Sequence, residues 1–306
     1  MKIAIVGVGM VGATTAYGIV SQGICDELVL IDKNTQKAVG EELDLKDCIT
    51  YLNRNVKIYA GDYKDCKDAD IVVLTVSKMA PTDSKNTRIS MLKSSKEIIA
   101  EIIPQIMDSG FNGIFVVISN PVDVISYYVY KFSKLPKNKI IGTGTSLDSA
   151  RLKGYLADKL NINPKDITAY TLGEHGDSQM IAWSNVSILG KSINNYLTKE
   201  QKDKIRDMTI RKGWKIVEGK NNTYYGVATS AIAIIKAIVN NENTVIPVSV
   251  LLEGEYGESD VFCSVPVILN KDGASKILEI DMLDYEDKEF KNSIAAIRKY
   301  IKAGGV

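Results

Sequence analysis

The sequence predicts an α/β protein: a doubly wound parallel sheet followed by an α+β half. Apolar β-branched runs alternate with helix-like stretches as far as Ile141, and a glycine-rich turn joins the first run to the first helix. Beyond Gly142–Thr145 the pattern changes to long helices mixed with longer strands. Near-continuous apolar strands separated by helices are what a parallel sheet covered on both faces requires.

Each element has its own signal. Ile3–Val6 is the first strand and Met10–Gln22 the first helix; Leu28–Ile31 and Thr35–Thr50 repeat the pair. Val56–Tyr59 and Ile71–Val76 supply the third and fourth strands. Arg88–Ser109 reads as a helix because Ile99, Ile102, Ile103 and Ile106 fall on one face. A kink is expected at Pro104, which lacks an N–H to continue the ladder. Ile114–Ile118 is the fifth strand, a helix starts near Val122, and Lys139–Ile141 is the sixth strand. In the second half Ser146–Lys159, Lys199–Glu218 and Thr223–Val239 read as helices, and Val245–Leu252 and Ser259–Leu269 as antiparallel strands. Tyr285–Lys302 is a closing amphipathic helix. The expected division is 1–143 and 144–306, with no Pro/Ser linker, so the halves should pack tightly around a cleft.

Composition narrows the function. Among 306 residues, 45% are hydrophobic and 25% charged, enough to bury a large core. Thirty-eight basic residues against thirty-seven acidic ones leave a net charge of +1, without the basic field that nucleic acid or a membrane surface demands. Cys25, Cys48, Cys66 and Cys263 stand at irregular spacings with no CxxC pair, so neither a metal site nor a disulfide framework is expected. The uncharged stretch between Lys2 and Asp26 imitates a secretory leader. Gly7, Gly9 and Gly12 interrupt it, however, one cation precedes it, and Leu28–Ile31 is a strand to pair with the first. No run reaches the about 18 apolar residues of a membrane helix. A cytoplasmic protein is expected.

Gly7-Val8-Gly9-Met10-Val11-Gly12 lies between the first strand and the first helix, and Asp32 ends the second strand 20 residues after Gly12. In this setting Gly7 permits a tight turn, Gly9 admits a pyrophosphate to the backbone, and Gly12 allows close helix–strand packing. The anion would rest on the N–H groups of the helix terminus. Asp32 would accept the adenosine ribose hydroxyls and repel a 2′-phosphate, which selects NAD over NADP.

The single histidine, His175, lies in the polar segment Gly173-Glu174-His175-Gly176-Asp177. A lone histidine serves as a proton carrier or as filler, and its position alone leaves both open. Asp148 and Arg151 are three apart on one helix, as a local ion pair or as part of a site. Arg88 opens a helix after the polar segment Ser77–Thr87, where a cation opposes the helix dipole. Asn120-Pro121-Val122-Asp123 follows a buried strand at its carboxyl end, where open parallel sheets bind ligands.

Together the stretches GVGMVG, VLID, ISNPVDVI, IIGTGTSLDSAR, LGEHGDSQMIAWS and TYYGVATSA make the chain resemble the L-lactate dehydrogenase family and its relatives, the L-2-hydroxyisocaproate and malate dehydrogenases. The resemblance spans nearly the whole chain. It implies a Rossmann domain followed by an α+β substrate domain, NAD as cofactor, a small 2-oxo or 2-hydroxy acid as substrate, and a homotetramer or a dimer. It implies that His175 exchanges a proton with the substrate, that Asp148 holds and charge-stabilises its ring, and that Arg151 clamps the substrate carboxylate. Arg88, on a closing loop, would polarise the carbonyl. Asn120 would contact the nicotinamide side and the substrate oxygen, Thr143 the carboxamide, and Thr223 and Val227 the pocket, with Val227 against the nicotinamide ring. Gly7, Gly9, Met10, Val11, Gly12 and Asp32 would hold the dinucleotide.

The departures are specific. Many bacterial members bind fructose 1,6-bisphosphate through an arginine and a histidine at a subunit interface, where this chain has Lys153 and Thr168. The position six before Arg88, glutamine in lactate enzymes and arginine in malate enzymes, is Thr82. The expected reaction is therefore NAD-dependent reduction of pyruvate or a related 2-oxo acid to the L-hydroxy acid. A 2-hydroxyisocaproate-type enzyme, a malate enzyme and a non-catalytic NAD sensor are the alternatives. With the first strand opening the sequence, no N-terminal arm is expected to tie subunits together.

Overall fold

The computed structural model describes residues 1–77 and 87–304. The first half contains β1 (Lys2–Val6), α1 (Met10–Ser21), β2 (Glu27–Ile31), α2 (Thr35–Ile49), β3 (Lys57–Ala60), β4 (Ile71–Leu74), α3 (Thr87–Asp108), β5 (Ile114–Val117), α4 (Val122–Ser133) and β6 (Ile140–Gly142). These six strands pair in parallel in the order β6-β5-β4-β1-β2-β3. The strands β4 and β5 bury every residue, which is why they read as unbroken apolar runs rather than alternating ones. Strand order reverses between β1 and β4, and the crevice outside the carboxyl ends at such a reversal is where open α/β sheets take ligands.

The second half contains α5 (Ser146–Leu160), the short strands β7 (Ile167–Thr168), β8 (Thr171–Leu172), β9 (Met180–Ile181), β10 (Ser187–Ile188) and β11 (Lys191–Ser192), then α6 (Lys199–Lys220) and α7 (Tyr225–Val239). Strands β12 (Thr244–Glu253), β13 (Ser259–Asn270) and β14 (Gly273–Ile277) and helix α8 (Asp284–Ala303) complete it. Thr198 and Gln201 form a capping box at the start of α6, and Asn221, at φ 65°, ends it in the left-handed conformation. Asn222 then accepts the Thr223 N–H at 2.8 Å, so α7 starts at Tyr225 and Thr223 belongs to the turn, two residues later than the sequence suggests.

The expected antiparallel pairing is the long β12–β13 ladder. It does not stand apart. Strand β12 lies antiparallel to β6 through Ser249 and Gly142, so β14-β13-β12 extends the parallel sheet to nine strands among the described residues. The seam is close: a Cβ on Gly142 would stand 2.5 Å from Ser126 Oγ and 2.9 Å from Ser249 Cβ. One large core follows the sheet across both halves, and a second, containing Leu152, Leu156, Ile181, Trp183 and Ile205, lies within the second half. Helix α4 is buried on nearly all sides, as its apolar sequence requires, yet it carries Asp123 at 2% exposure. No helix among the described residues is long and apolar enough to cross a membrane.

Candidate active site

The β1–α1 turn is built around its glycines. Gly7 has φ +94°, a Cβ there would come within 3.1 Å of the Thr75 backbone, and the Thr75 hydroxyl donates to the Gly7 carbonyl. A Cβ on Gly12 would meet Gly7 O at 1.9 Å, so nothing larger than glycine lets α1 approach the turn. At Gly9, the N-cap of α1, a Cβ would meet nothing within 4 Å, and no side chain caps the helix. That combination leaves an open cradle of unpartnered helix N–H groups, which fits a pyrophosphate. Met10 is 59% exposed at its edge, and Val11 packs partly against the core.

Asp32 follows β2 and belongs to the same cradle. Its Oδ2 accepts the Val8 N–H at 2.8 Å and its Oδ1 the Asn34 N–H at 2.9 Å. Each oxygen keeps a lone pair that a ribose hydroxyl can use. Thr143, just past β6, is buried, with its N–H on Val117 O at 2.9 Å. Val227, on α7, is partly buried against the main core.

Asp148 sits in the first turn of α5, 1% exposed, and serves two neighbours. Its Oδ2 lies 2.5 Å from His175 Nδ1, and its Oδ1 accepts from Arg151 Nη1 at 3.0 Å. An ionised carboxylate only accepts, so His175 carries its hydrogen on Nδ1 and leaves Nε2 free to exchange a proton. The loop holding His175 joins β8 to β9 and is pinned to β13 by paired backbone hydrogen bonds between Gly173 and Ser264, both 2.9 Å. Burial alone would push the imidazolium down. The Asp148 charge and hydrogen bond, with Asp123 behind them, more than offset this and raise the His175 pKa. Burial likewise opposes the Asp148 charge, but His175 and Arg151 hold that carboxyl below its ordinary value.

A cavity of about 270 Å³ gathers Asn120, Asp148, Arg151, His175 and Thr223. The glycine turn, Asp32, Thr143 and Val227 are not in its lining. Arg88 falls in the first turn of α3, but its side chain, like Thr82 and most of the expected closing segment, lies outside the described residues.

Two groups were given no role of their own by the sequence. Asp123 accepts the His175 backbone N–H on Oδ2 at 2.9 Å and the Ser249 hydroxyl on Oδ1 at 2.6 Å; burial pushes its pKa up to about 6. The signal was present, since Asp123 is the one acidic residue in the apolar run of α4. The second group is the face of α6 that carries Ile210, Gly213 and Val217, which forms a wall of the same cavity. No sequence signal joins a charged helix to a site far from it in the chain.

Comparison with known proteins matches the chain in two parts. Residues 1–142 match the family pattern "lactate/malate dehydrogenase, NAD binding domain", and residues 145–305 match "lactate/malate dehydrogenase, alpha/beta C-terminal domain". The chain is 46% identical over 311 residues to L-lactate dehydrogenase 3 of Bacillus anthracis, covering 99% of this chain and 98% of that protein. It is 42% identical over 309 residues to L-lactate dehydrogenase 2 of Lactococcus lactis subsp. lactis (strain IL1403), covering 99% and 98%. The crystal structure of the minor L-lactate dehydrogenase from Enterococcus mundtii in its ligands-bound form superposes with a TM-score of 0.95 at 39% identity, covering 98% of this chain and 97% of that one. The glycine cradle is therefore part of an NAD binding domain, and NAD is the cofactor. With both family patterns matched in order and relatives aligned end to end, the chain belongs to the lactate/malate dehydrogenase family.

Proposed function

We propose that the chain is an NAD-dependent L-lactate dehydrogenase, interconverting pyruvate and L-lactate. One observation carries the reading: Asp148 holds His175 and Arg151 together on one cavity, a proton carrier beside a carboxylate clamp. The names of the full-length relatives support lactate over the malate and 2-hydroxyisocaproate alternatives. A protein that only sensed NAD would have no use for this trio.

NADH, when bound, supplies the hydride that adds to C2 of the 2-oxo acid. Arg151 receives the substrate carboxylate on guanidinium N–H groups not engaged by Asp148, in the two-pronged geometry that lysine lacks. His175, protonated, gives its Nε2 proton to the oxygen that becomes the hydroxyl and is left neutral; the reverse reaction returns the proton to Nε2. Asp148 stabilises the imidazolium and keeps Nε2 aimed into the cavity. Arg88 would stabilise the charge developing on that oxygen. Asn120 and Thr223 would contact the substrate, with Thr82 facing its side chain. Gly7, Gly9, Met10, Val11, Gly12, Asp32, Asn120, Thr143 and Val227 would bind the cofactor.

The matched ranges support placing the boundary at 143/144, and family membership supports a homotetramer, with a dimer as the alternative, acting in the cytoplasm. The test is direct. Purified protein should oxidise NADH stoichiometrically with pyruvate and leave L-lactate. Faster turnover with oxaloacetate than with pyruvate, or none with either, would overturn the reading.

A further inference from the structure

Asn222 lies in the turn between α6 and α7, and its side chain serves two places. Its Oδ1 accepts the Thr223 N–H at 2.8 Å, in the turn that brings Thr223 to the substrate cavity. Its Nδ2 reaches the first helix and stands 3.8 Å from Met10 Sδ, at the edge of the glycine cradle. A thioether is a weak acceptor, and an amide nitrogen has two hydrogens to donate. Among the described residues this sulfur is the only partner of Nδ2, and Asn222 is exposed, so the amide keeps a strong donor to spend. Helix packing explains how two residues so far apart in the chain meet. Helices α1 and α7 lie side by side, so close that a Cβ on Gly18 would stand 2.2 Å from Ile232 Cδ1. With Met10 beside Asn222 and Gly18 beside Ile232, the two helices run in the same direction and start at the same end. Neither start is capped by a side chain. The partial positive charges of both helix ends fall on one region, which favours an anion there.

A dinucleotide with its adenosine ribose on Asp32 and its pyrophosphate on the α1 N-terminus has to run on to the cavity, because its nicotinamide must meet a substrate held by Arg151 and His175. Met10 marks the start of that last stretch, and Thr223, in the cavity lining, marks its end. Asn222 touches the first and adjoins the second. We infer that Asn222 is a cofactor-binding residue whose Nδ2 donates to the nicotinamide-side phosphate of NAD. An amide donor on a phosphate oxygen makes a charge-assisted hydrogen bond, stronger than its contact with sulfur. The donor comes from the second half of the chain, so the dinucleotide is held from both halves. The inference rests on the lactate dehydrogenase reading above, which puts the nicotinamide beside His175.

The test measures Kd for NADH by fluorescence titration, and for ADP-ribose and AMP by calorimetry, in the wild type, Asn222→Ala and Asn222→Asp. Alanine removes the donor and should weaken NADH and ADP-ribose about 10-fold, the scale of a hydrogen bond to a charged group. AMP lacks the nicotinamide-side phosphate, and its binding to the alanine variant should be unchanged. Aspartate keeps an oxygen for the Thr223 N–H, and so keeps the turn, but it sets a negative charge against the phosphate. It should therefore bind NADH more weakly than the alanine variant does, with a deficit that shrinks as salt is added. An aspartate variant that binds NADH as tightly as the wild type would overturn the inference, since Asn222 would then serve the turn alone. So would an alanine variant that binds NADH normally, or one that loses AMP and ADP-ribose in equal proportion. A wild type that binds NADH but reduces no 2-oxo acid would instead mark the failure of the parent reading.

Discussion

The carboxylate of Asp123 accepts the backbone N–H of His175 at 2.9 Å, although the two residues are 52 apart in sequence. The contact fixes the main chain of the histidine while Asp148 fixes its ring, so the residue is held at two points by carboxylates from different helices.

Asp123 should act as a positioning residue. Asp123→Asn keeps the shape but leaves only one acceptor oxygen for the Ser249 hydroxyl and the His175 N–H. It also removes a negative charge that favours the imidazolium. We expect kcat for pyruvate to fall about 10- to 100-fold, the scale of a lost hydrogen bond to a charged group. The alkaline limb of the pH profile should move toward acid, which a purely structural role would not cause. Stability supplies a second readout. The Asp123 pKa is raised in the fold to about 6, so its ionisation weakens the native state as pH rises from the unfolded value through about 6. Asp123→Asn should flatten that part of the stability profile; an unchanged slope would contradict the assignment.

The pH dependence of catalysis follows from the His175–Asp148 pair. The raised His175 pKa keeps the imidazolium present to a higher pH than in a free histidine. Pyruvate reduction should therefore decline as pH climbs through that raised value, and lactate oxidation should increase over the same range. Asp148→Asn should shift both profiles toward acid by about 1 to 3 pH units. His175→Ala should cut turnover by about 100- to 10,000-fold while NADH still binds. Retention of most activity would remove His175 from the mechanism.

Replacement of Asp32 by alanine should cost NADH affinity through two losses, the ribose acceptor and the support of the glycine turn at Val8. Discrimination against NADPH should shrink chiefly because NADH binds more weakly, with little gain for NADPH. Fluorescence titration of both nucleotides separates these effects. A variant that bound NADPH as tightly as the wild type binds NADH would show that the carboxylate acts by repulsion alone.

Activation by fructose 1,6-bisphosphate should be absent. Lys153 is partly buried, its ammonium 6.0 Å from the Tyr170 ring centroid, and burial pulls its pKa down; Thr168 is exposed and uncharged. One flexible cation cannot replace an arginine fork and a histidine. The pyruvate KM should stay within about 2-fold when the bisphosphate is added. A large fall would place the effector on other lysines.

The cradle was legible in the sequence because its parts are local: the glycine turn, the first helix and the strand ending at Asp32 form one continuous βαβ stretch. The same holds for Asp148 and Arg151, one helical turn apart on α5. What the residues alone left open depends on distant pairings. The dual use of Asp148 became visible only with the β8–β9 loop beside α5, and Asp123 gained its meaning from partners 52 and 126 residues away. The long strands were read as antiparallel, but their attachment to the parallel sheet rests on a single pairing, Ser249 with Gly142, which no periodicity announces.

That seam has a mechanical consequence. Ser249 joins β12 to β6 and also donates its hydroxyl to Asp123, so the seam inside the sheet, helix α4 and the histidine loop share one anchor. The nine-stranded sheet carries the glycine cradle at one part of its length and, through this seam, the anchor of the His175 loop at another. The two halves are therefore built on one frame and are not lobes strung on a linker.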